Sequence, residues 1–180
     1  MIAEESLIQE LKAKDTQSHA FEVLVSTYKE RLYWHIRRIV LNHDDADDVL
    51  QNTFIKVYRN IEGFKGDSKL FSWMYRIATN ESLSFLKLKS KKLGLGDAEY
   101  QERALQNLEA DVYFEGDEIQ LKLQKAIATL PEKQKLVFNM RYFEELKYEE
   151  ISTILDTSVG GLKASYHLAA KKVEEYLKAN

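Results

Sequence analysis

The 180-residue chain contains no cysteine, so disulfide bridges and thiolate metal sites are excluded. No stretch reaches the roughly 20 apolar residues needed to cross a bilayer, and the start, MIAEESLIQELKAKD, reads as an amphipathic helix without a long apolar run. A cytoplasmic protein without direct membrane insertion is therefore expected. There is one proline, Pro131, and neither GxGxxG nor GxxxxGK[ST] occurs, which removes the usual phosphate cradles. The histidines, His19, His35, His43 and His167, fall in no metal-ligand spacing such as HExxH, and Ser, Lys and Tyr lie in no nucleophile motif. No catalysis and no cofactor or metal is expected.

What the chain does have is 44% hydrophobic residues, enough for one core or two small ones. Its net charge of −3 conceals an uneven distribution. Residues 53–92 hold nine Lys or Arg against three acids, and residues 93–118 hold one against eight. A basic block of this size gathers phosphate locally even in a near-neutral protein. The acidic block is poor in apolar residues and carries Gly94, Gly96 and Gly116, so it reads as a flexible or weakly ordered linker. The predicted organisation is a domain over 1–92, a linker over 93–118 and a second domain over 119–180.

The central stretch is Gly63–Lys92, GFKGDSKLFSWMYRIATNESLSFLKLKSKK. A helix from about Leu70 collects Leu70, Phe71, Met74, Ile77, Ala78, Phe85 and Leu86 on one stripe and Lys69, Ser72, Arg76, Asn80, Ser84 and Lys87 on another. The second stripe is polar without an acid. Phe64 lies just before it, and rings beside cations are what single-stranded nucleic acid requires, because bases stack while cations hold phosphates. An amphipathic helix with a solvated back fits the composition equally well.

Upstream, Phe21–Ile39 places apolar residues at steps of three and four, a core helix. The run NHDDADDV then supplies a cap, Asn42, and four acids in five positions before Val49, Leu50, Thr53 and Val57. Acids in a first turn complement the helix dipole; four exceed that need and continue into Gln51, Asn52 and Phe54, a face suited to a basic protein partner. His43 beside Asp44 and Asp45 could alternatively form a carboxylate-metal phosphohydrolase site. Downstream, Pro131 is expected at a first helical position. Tyr148, Ile151, Ile154 and Leu155 make a short helix, Asp156-Thr157-Ser158 a turn, and Val159, Leu162, Tyr166, Ala169, Val173 and Tyr176 the stripe of a second helix. That is a helix-turn-helix pattern, although an ordinary helical hairpin has the same periodicity. Gly160, Gly161, Lys163, Ala164, His167 and Lys171 face outward, small at the first turn and basic beyond it, which favours DNA. Lys147, at the position where a Ser or Asp cap is expected, counts against.

Two runs, DADDVLQNTFIKVYRNIEGFKGDSKLFSWMYRIATN and LPEKQKLVFNMRYFEELKYEEISTILDTSVGGLKASYHLAAKKVE, resemble regions 2 and 4 of an extracytoplasmic-function (ECF) sigma factor, without an intervening region 3. The resemblance implies an all-α protein of two small helical domains that directs RNA polymerase to promoters. Region 2 of that family docks on the clamp helices of the beta-prime subunit and captures the melted minus-ten element; region 4 binds the beta flap and reads the minus-35 element. Carried over by position, docking falls to Asp45, Asp47, Asp48, Gln51 and Phe54. Minus-ten capture falls to Lys56, Phe64, Gly66, Asp67, Ser68, Trp73, Tyr75, Arg76 and Asn80, and minus-35 reading to Gly160, Gly161, Lys163, Ser165, His167 and Lys171. The family also implies an anti-sigma factor as partner. Two departures are Asp156 in place of a common turn glycine, and Tyr166 and Ala169 where many relatives carry arginines, which puts the promoter sequence in doubt. The competing reading is a free-standing helix-turn-helix regulator of duplex DNA.

Overall fold

The computed structural model describes residues 3–108, 111 and 116–180. Among these the chain forms nine α-helices and one 3-10 turn, with no strand: α1 (Glu4–Lys12), α2 (Gln17–Val40), α3 (His43–Asn60), the turn Ile61–Gly63, α4 (Leu70–Leu93), α5 (Asp97–Leu108), α6 (Glu118–Ala128), α7 (Glu132–Tyr142), α8 (Tyr148–Leu155) and α9 (Val159–Ala179).

The helix boundaries follow from local chemistry. α2 stops where Leu41 enters the left-handed region at φ 61°, and α3 starts at once because the Asn42 side chain accepts the Asp45 N–H at 3.0 Å. This is the expected cap, satisfying one of the orphan donors of a first turn. The corner folds α3 back along α2, and α4 packs against both. Leu24, Leu32 and Ile36 of α2, Val49 and Val57 of α3, and Leu70, Met74 and Ala78 of α4 are almost wholly buried between them. Each of the larger ones contributes about 1.5–3 kcal/mol of burial. α1 lies across this bundle through Leu7 and Leu11.

α6 to α9 form a second group in which α9 packs against α6, α7 and α8. Pro131 is the N-cap of α7, with Glu132 the first helical residue, one position from where it was expected; its extended ψ of 148° precedes the helix instead of opening it. Asp156 takes the left-handed conformation at φ 51° that ends α8, a position Asp tolerates better than most residues.

The two groups are not separated by a loose tether. α5 occupies twelve residues of the acidic stretch that reads as a linker. Tyr100 and Leu108 are buried, Ser90 bonds Asp97 at 3.1 Å, Lys135 bonds Gln101, and Arg37 meets Asp111 at 2.5 Å. The apolar residues Tyr100, Ala104, Leu105 and Leu108 of α5 fall at helical spacing and meet the surface that α4 and α6 offer. α7 looks both ways: Phe138 enters the cluster of Ile127, Leu130, Ala169 and Val173, while Val137 and Met140 join the main core together with Leu146, Ile151, Ile154 and Leu162. α8 lies against α4.

Polar contacts seal the junction. His35, only 1% exposed, holds Glu144 through Nδ1 at 2.8 Å and Thr79 Oγ1 through Nε2 at 2.8 Å, and Arg38 stands 3.8 Å from the same carboxylate. The other oxygen, Glu144 Oε2, is buried without a hydrogen-bond partner among the described residues. Burial, and then the Glu144 charge, push the Tyr75 phenol far above its ordinary range. At the surface, Lys69 and Glu150 pair at 3.0 Å.

Candidate polymerase and nucleic-acid interfaces

The acidic start of α3 divides into structural and free residues. Asp45 is buried, and Lys89 of α4 donates to both of its oxygens at 2.6 and 2.5 Å. Burial pulls the Lys89 ammonium down but Asp45 outweighs it, so this lysine sits above its ordinary value. Phe54 is 8% exposed and packs edge-on to Phe21 at 6.2 Å. Both were expected at the docking face; here Asp45 ties α3 to α4 and Phe54 fills the core, because each lies on the inward side of α3. Asp47, half-exposed and 3.4 Å from His43 Nε2, remains at the surface with the exposed Asp48, Gln51 and Asn52 and with Ile55, an apolar side chain 46% exposed. His43 Nδ1 meets the Tyr33 hydroxyl at 2.7 Å.

The loop before α4 and the helix itself show the same division. Phe64, expected as a stacking platform, is 4% exposed and packs against Trp73 with ring centroids 5.1 Å apart. Tyr75 has no exposed surface and donates to the Arg31 carbonyl at 3.2 Å. Neither ring is available to a base: Phe64 is buried beside α1, and Tyr75 faces α2. Trp73 is half-buried and Ser68 partly exposed, whereas Lys56, Gly66, Asp67, Arg76 and Asn80 are exposed. Lys56 pairs with Glu81 of α4. Arg76 and Asn80, one turn apart, make no hydrogen bond or ion pair with any described residue. Gly66 carries φ 78°, a left-handed turn that suits glycine.

In the helix-turn-helix, the Ser158 side chain caps α9 by accepting the Gly161 N–H at 3.2 Å. A Cβ on Gly161 would stand 3.1 Å from that Oγ, so the small residue keeps the cap tight. Gly160, Lys163, His167 and Lys171 are exposed and Ser165 partly so. Lys163 Nζ lies 5.8 Å from the Tyr148 ring centroid. α8 has a cap after all: Glu150 accepts the Lys147 N–H at 2.9 Å. Burial would raise the Glu150 pKa, but this bond and the Lys69 ammonium outweigh it and hold the carboxyl below its ordinary value.

Three residues outside the expected sets also reach these surfaces. Glu4 accepts the Leu70 N–H at 3.0 Å, Lys12 donates to the Phe64 carbonyl at 2.6 Å, and Glu150 carries Lys69. Each spans more than fifty residues of sequence, and no local pattern announces it.

With this arrangement established, two family models match the chain: "Sigma-70 region 2" over residues 24–92 and "Sigma-70, region 4" over residues 120–173. The chain is 31% identical to the RNA polymerase sigma-H factor of Pseudomonas aeruginosa over 97% of its own length and 93% of the relative's. It is 30% identical to the ECF RNA polymerase sigma-E factor of Haemophilus influenzae, over 96% and 94%. Among solved structures it resembles CnrH in complex with the cytosolic domain of CnrY, with a TM-score of 0.74, 18% identity and 99% of both chains covered. It also resembles the sigma factor RpoE in complex with the anti-sigma factor NepR from Bartonella quintana, with a TM-score of 0.67, 19% identity and coverage of 89% and 98%. The chain belongs to the sigma-70 family, in its ECF group. It is a transcription initiation sigma factor, and the free-standing regulator is not favoured, since region 2 accounts for 24–92. Among the described residues, no helix is long and apolar enough to cross a membrane.

Proposed function

We propose that the chain binds core RNA polymerase through the exposed side of α3, at Asp47, Asp48 and Gln51 with Asn52 and Ile55 beside them. An acidic rim around an apolar side chain suits the basic clamp helices of the beta-prime subunit, with charge steering the encounter and Ile55 losing water on contact. The loop 64–69 and α4 capture the melted minus-ten strand through Ser68, Trp73, Arg76 and Asn80, with Lys56, Gly66 and Asp67 near by. α9 reads the minus-35 duplex from Gly160, Gly161, Lys163, Ser165, His167 and Lys171, its glycines permitting a close approach, while the C-terminal group engages the beta flap. The domain limits 1–92 and 119–180 carry these two activities, with 93–118 between them. Phe64 and Tyr75 support the capture surface from beneath.

The observation that carries this reading is the exposed pair Arg76 and Asn80, without partners among the described residues, beside the half-buried Trp73. A cation, an amide and a ring within two turns offer one group each to a phosphate, a base edge and a base face. Asn80→Ala should keep core-polymerase binding and melting temperature, and should lower open-complex formation on the matched promoter by about 1–3 kcal/mol. The loss should vanish at one minus-ten position when that base is varied. An equal loss on every minus-ten variant would make Asn80 a residue of the helix and not of recognition. An anti-sigma factor is the expected regulator; both solved neighbours are complexes with another protein.

A further inference from the structure

We propose that α1 is the brace of the minus-ten loop, with Glu4 and Lys12 as its two positioning residues. The helix lies outside the 24–92 match to region 2, and its sequence carries no feature directed at nucleic acid. Its side chains nevertheless hold both ends of the loop. Lys12 Nζ donates to the Phe64 carbonyl at 2.6 Å, and Glu4 Oε1 accepts from the Leu70 N–H at 3.0 Å. Eight residues along an α-helix span about 12 Å, so two fixed points on one rod set the chord of the chain between Phe64 and Leu70.

Besides the burial of Phe64 and Leu70 at its two ends and the Lys69–Glu150 pair, that chain has little else to hold it. Lys65, Gly66 and Asp67 are exposed, and Gly66 turns through the left-handed region. α4 opens on Lys69, which makes no side-chain cap. Its first N–H groups would lack acceptors, and a cation opposes the positive end of the dipole. Glu4 reverses both defects, bringing a carboxylate oxygen to the first N–H and a negative charge to the dipole. It also lies close enough to Tyr28 to add, after burial, to the rise in that phenol's pKa. The rod itself does not depend on these polar bonds, because Leu7 and Leu11 bury it against the main core. Glu4 and Lys12 thus set where the loop stands without deciding whether the helix docks. The direction in which Ser68 and Trp73 present themselves is fixed from α1.

The inference rests on the reading that this loop and α4 capture the minus-ten strand. The test uses full-length chain with core polymerase and a fork-junction DNA library randomised in the single-stranded minus-ten segment. Wild type, Lys12→Met, Lys12→Arg, Glu4→Ala and the double variant Glu4→Ala/Lys12→Met are compared with Asn80→Ala. The double variant should keep its melting temperature within a few degrees and its core affinity, yet lose about tenfold in discrimination between the selected sequence and single mismatches. Lys12→Met should lose part of that, and Lys12→Arg, which still donates, should recover it. If Asn80→Ala erodes discrimination while the α1 variants leave it intact, the capture reading stands and the brace is wrong. If none of them alters discrimination, both fall. Should the double variant not fold, Lys12→Met decides, since Lys12 is exposed: unchanged discrimination there overturns the proposal.

Discussion

Glu144→Ala probes the junction between the two helical groups most directly. Its carboxylate is 5% exposed, bonds a histidine that is 1% exposed, and stands 3.8 Å from Arg38. Removing it leaves His35 Nδ1 and the Arg38 guanidinium without their shared carboxylate. Breaking a buried pair by deleting one partner costs about 3–5 kcal/mol. Two features lower the figure here. Oε2 has no partner among the described residues, so its desolvation penalty disappears with the side chain, and His35 keeps Thr79. A loss of about 2–4 kcal/mol is expected, falling on the attachment of the C-terminal group and not on the α2–α3–α4 bundle. Trp73 lies in that bundle, whereas Trp34 borders Phe143 and Glu144 at the junction, so in a Trp34→Phe background fluorescence follows the bundle alone while far-UV circular dichroism follows all helices. In wild type the two urea transitions should coincide, as a shared core requires. In Glu144→Ala the dichroism should begin to fall at lower urea than the fluorescence. Coincident transitions in the variant, with less than about 0.5 kcal/mol lost, would refute the assignment of Glu144 as the anchor of the junction.

Burial lowers the pKa of Lys135 from 10.5 to about 8, with Glu132 opposing. The unfolded chain therefore holds more protons between these values, so stability should rise as pH goes from about 8 to 10.5. Lys135→Met should flatten that rise and increase the melting temperature at pH 7; a lower melting temperature in the variant would show that its bond to Gln101 outweighs desolvation. Asp45→Ala should cost about 1–3 kcal/mol by stranding Lys89, measured by chemical denaturation, and a neutral result would return Asp45 to the surface. Asp47→Lys with Asp48→Lys should leave stability within about 0.5 kcal/mol and abolish binding to core polymerase in a pull-down. Retained binding would reduce that face to a helix start.

Much of this was legible in the sequence because helices announce themselves through their own periodicity. The stripes of α2, α4 and α9, the Asn42 cap and the left-handed Asp156 all depend on residues within a few positions of one another. What was not legible depends on rotation about a helix axis and on distant partners. Asp45 and Asp48 look alike in a run of acids, yet they are three residues apart and only one faces Lys89, 44 positions away. Phe64 and Tyr75 look like base platforms beside Trp73, but a ring next to cations is also how a core begins, and only the packing of α1 and α2 separates the two. α5 escaped because its charge outweighed its spacing: Tyr100, Ala104, Leu105 and Leu108 do recur at helical intervals and face inward. The charge map pointed to a tether there, whereas acids on the outer side of a docked helix carry the same signature.

The attachment of α8 to α4 has a consequence for how the two DNA-reading surfaces are used. Elements named for positions minus-ten and minus-35 lie about 25 base pairs apart, roughly 85 Å of duplex at about 3.4 Å per pair. A compact chain of this length has a radius of gyration of about 16 Å, so a form in which α8 rests on α4 cannot read both at once. The contacts that hold it closed are unevenly placed. Lys69, at the head of α4, is tied to Glu150 of the helix-turn-helix, while Asp48, Gln51 and Ile55 on α3 stay exposed. If α3 and the loop before α4 act as proposed, core polymerase can meet the α3 face before the groups part, and parting frees Lys69 beside that loop. Opening must overcome the shared apolar core and the buried Glu144 contact, whereas the exposed Lys69 pair contributes at most about 1 kcal/mol. Only a partner gripping both groups, or pulling the C-terminal one towards a distant site, supplies enough differential binding to shift that balance.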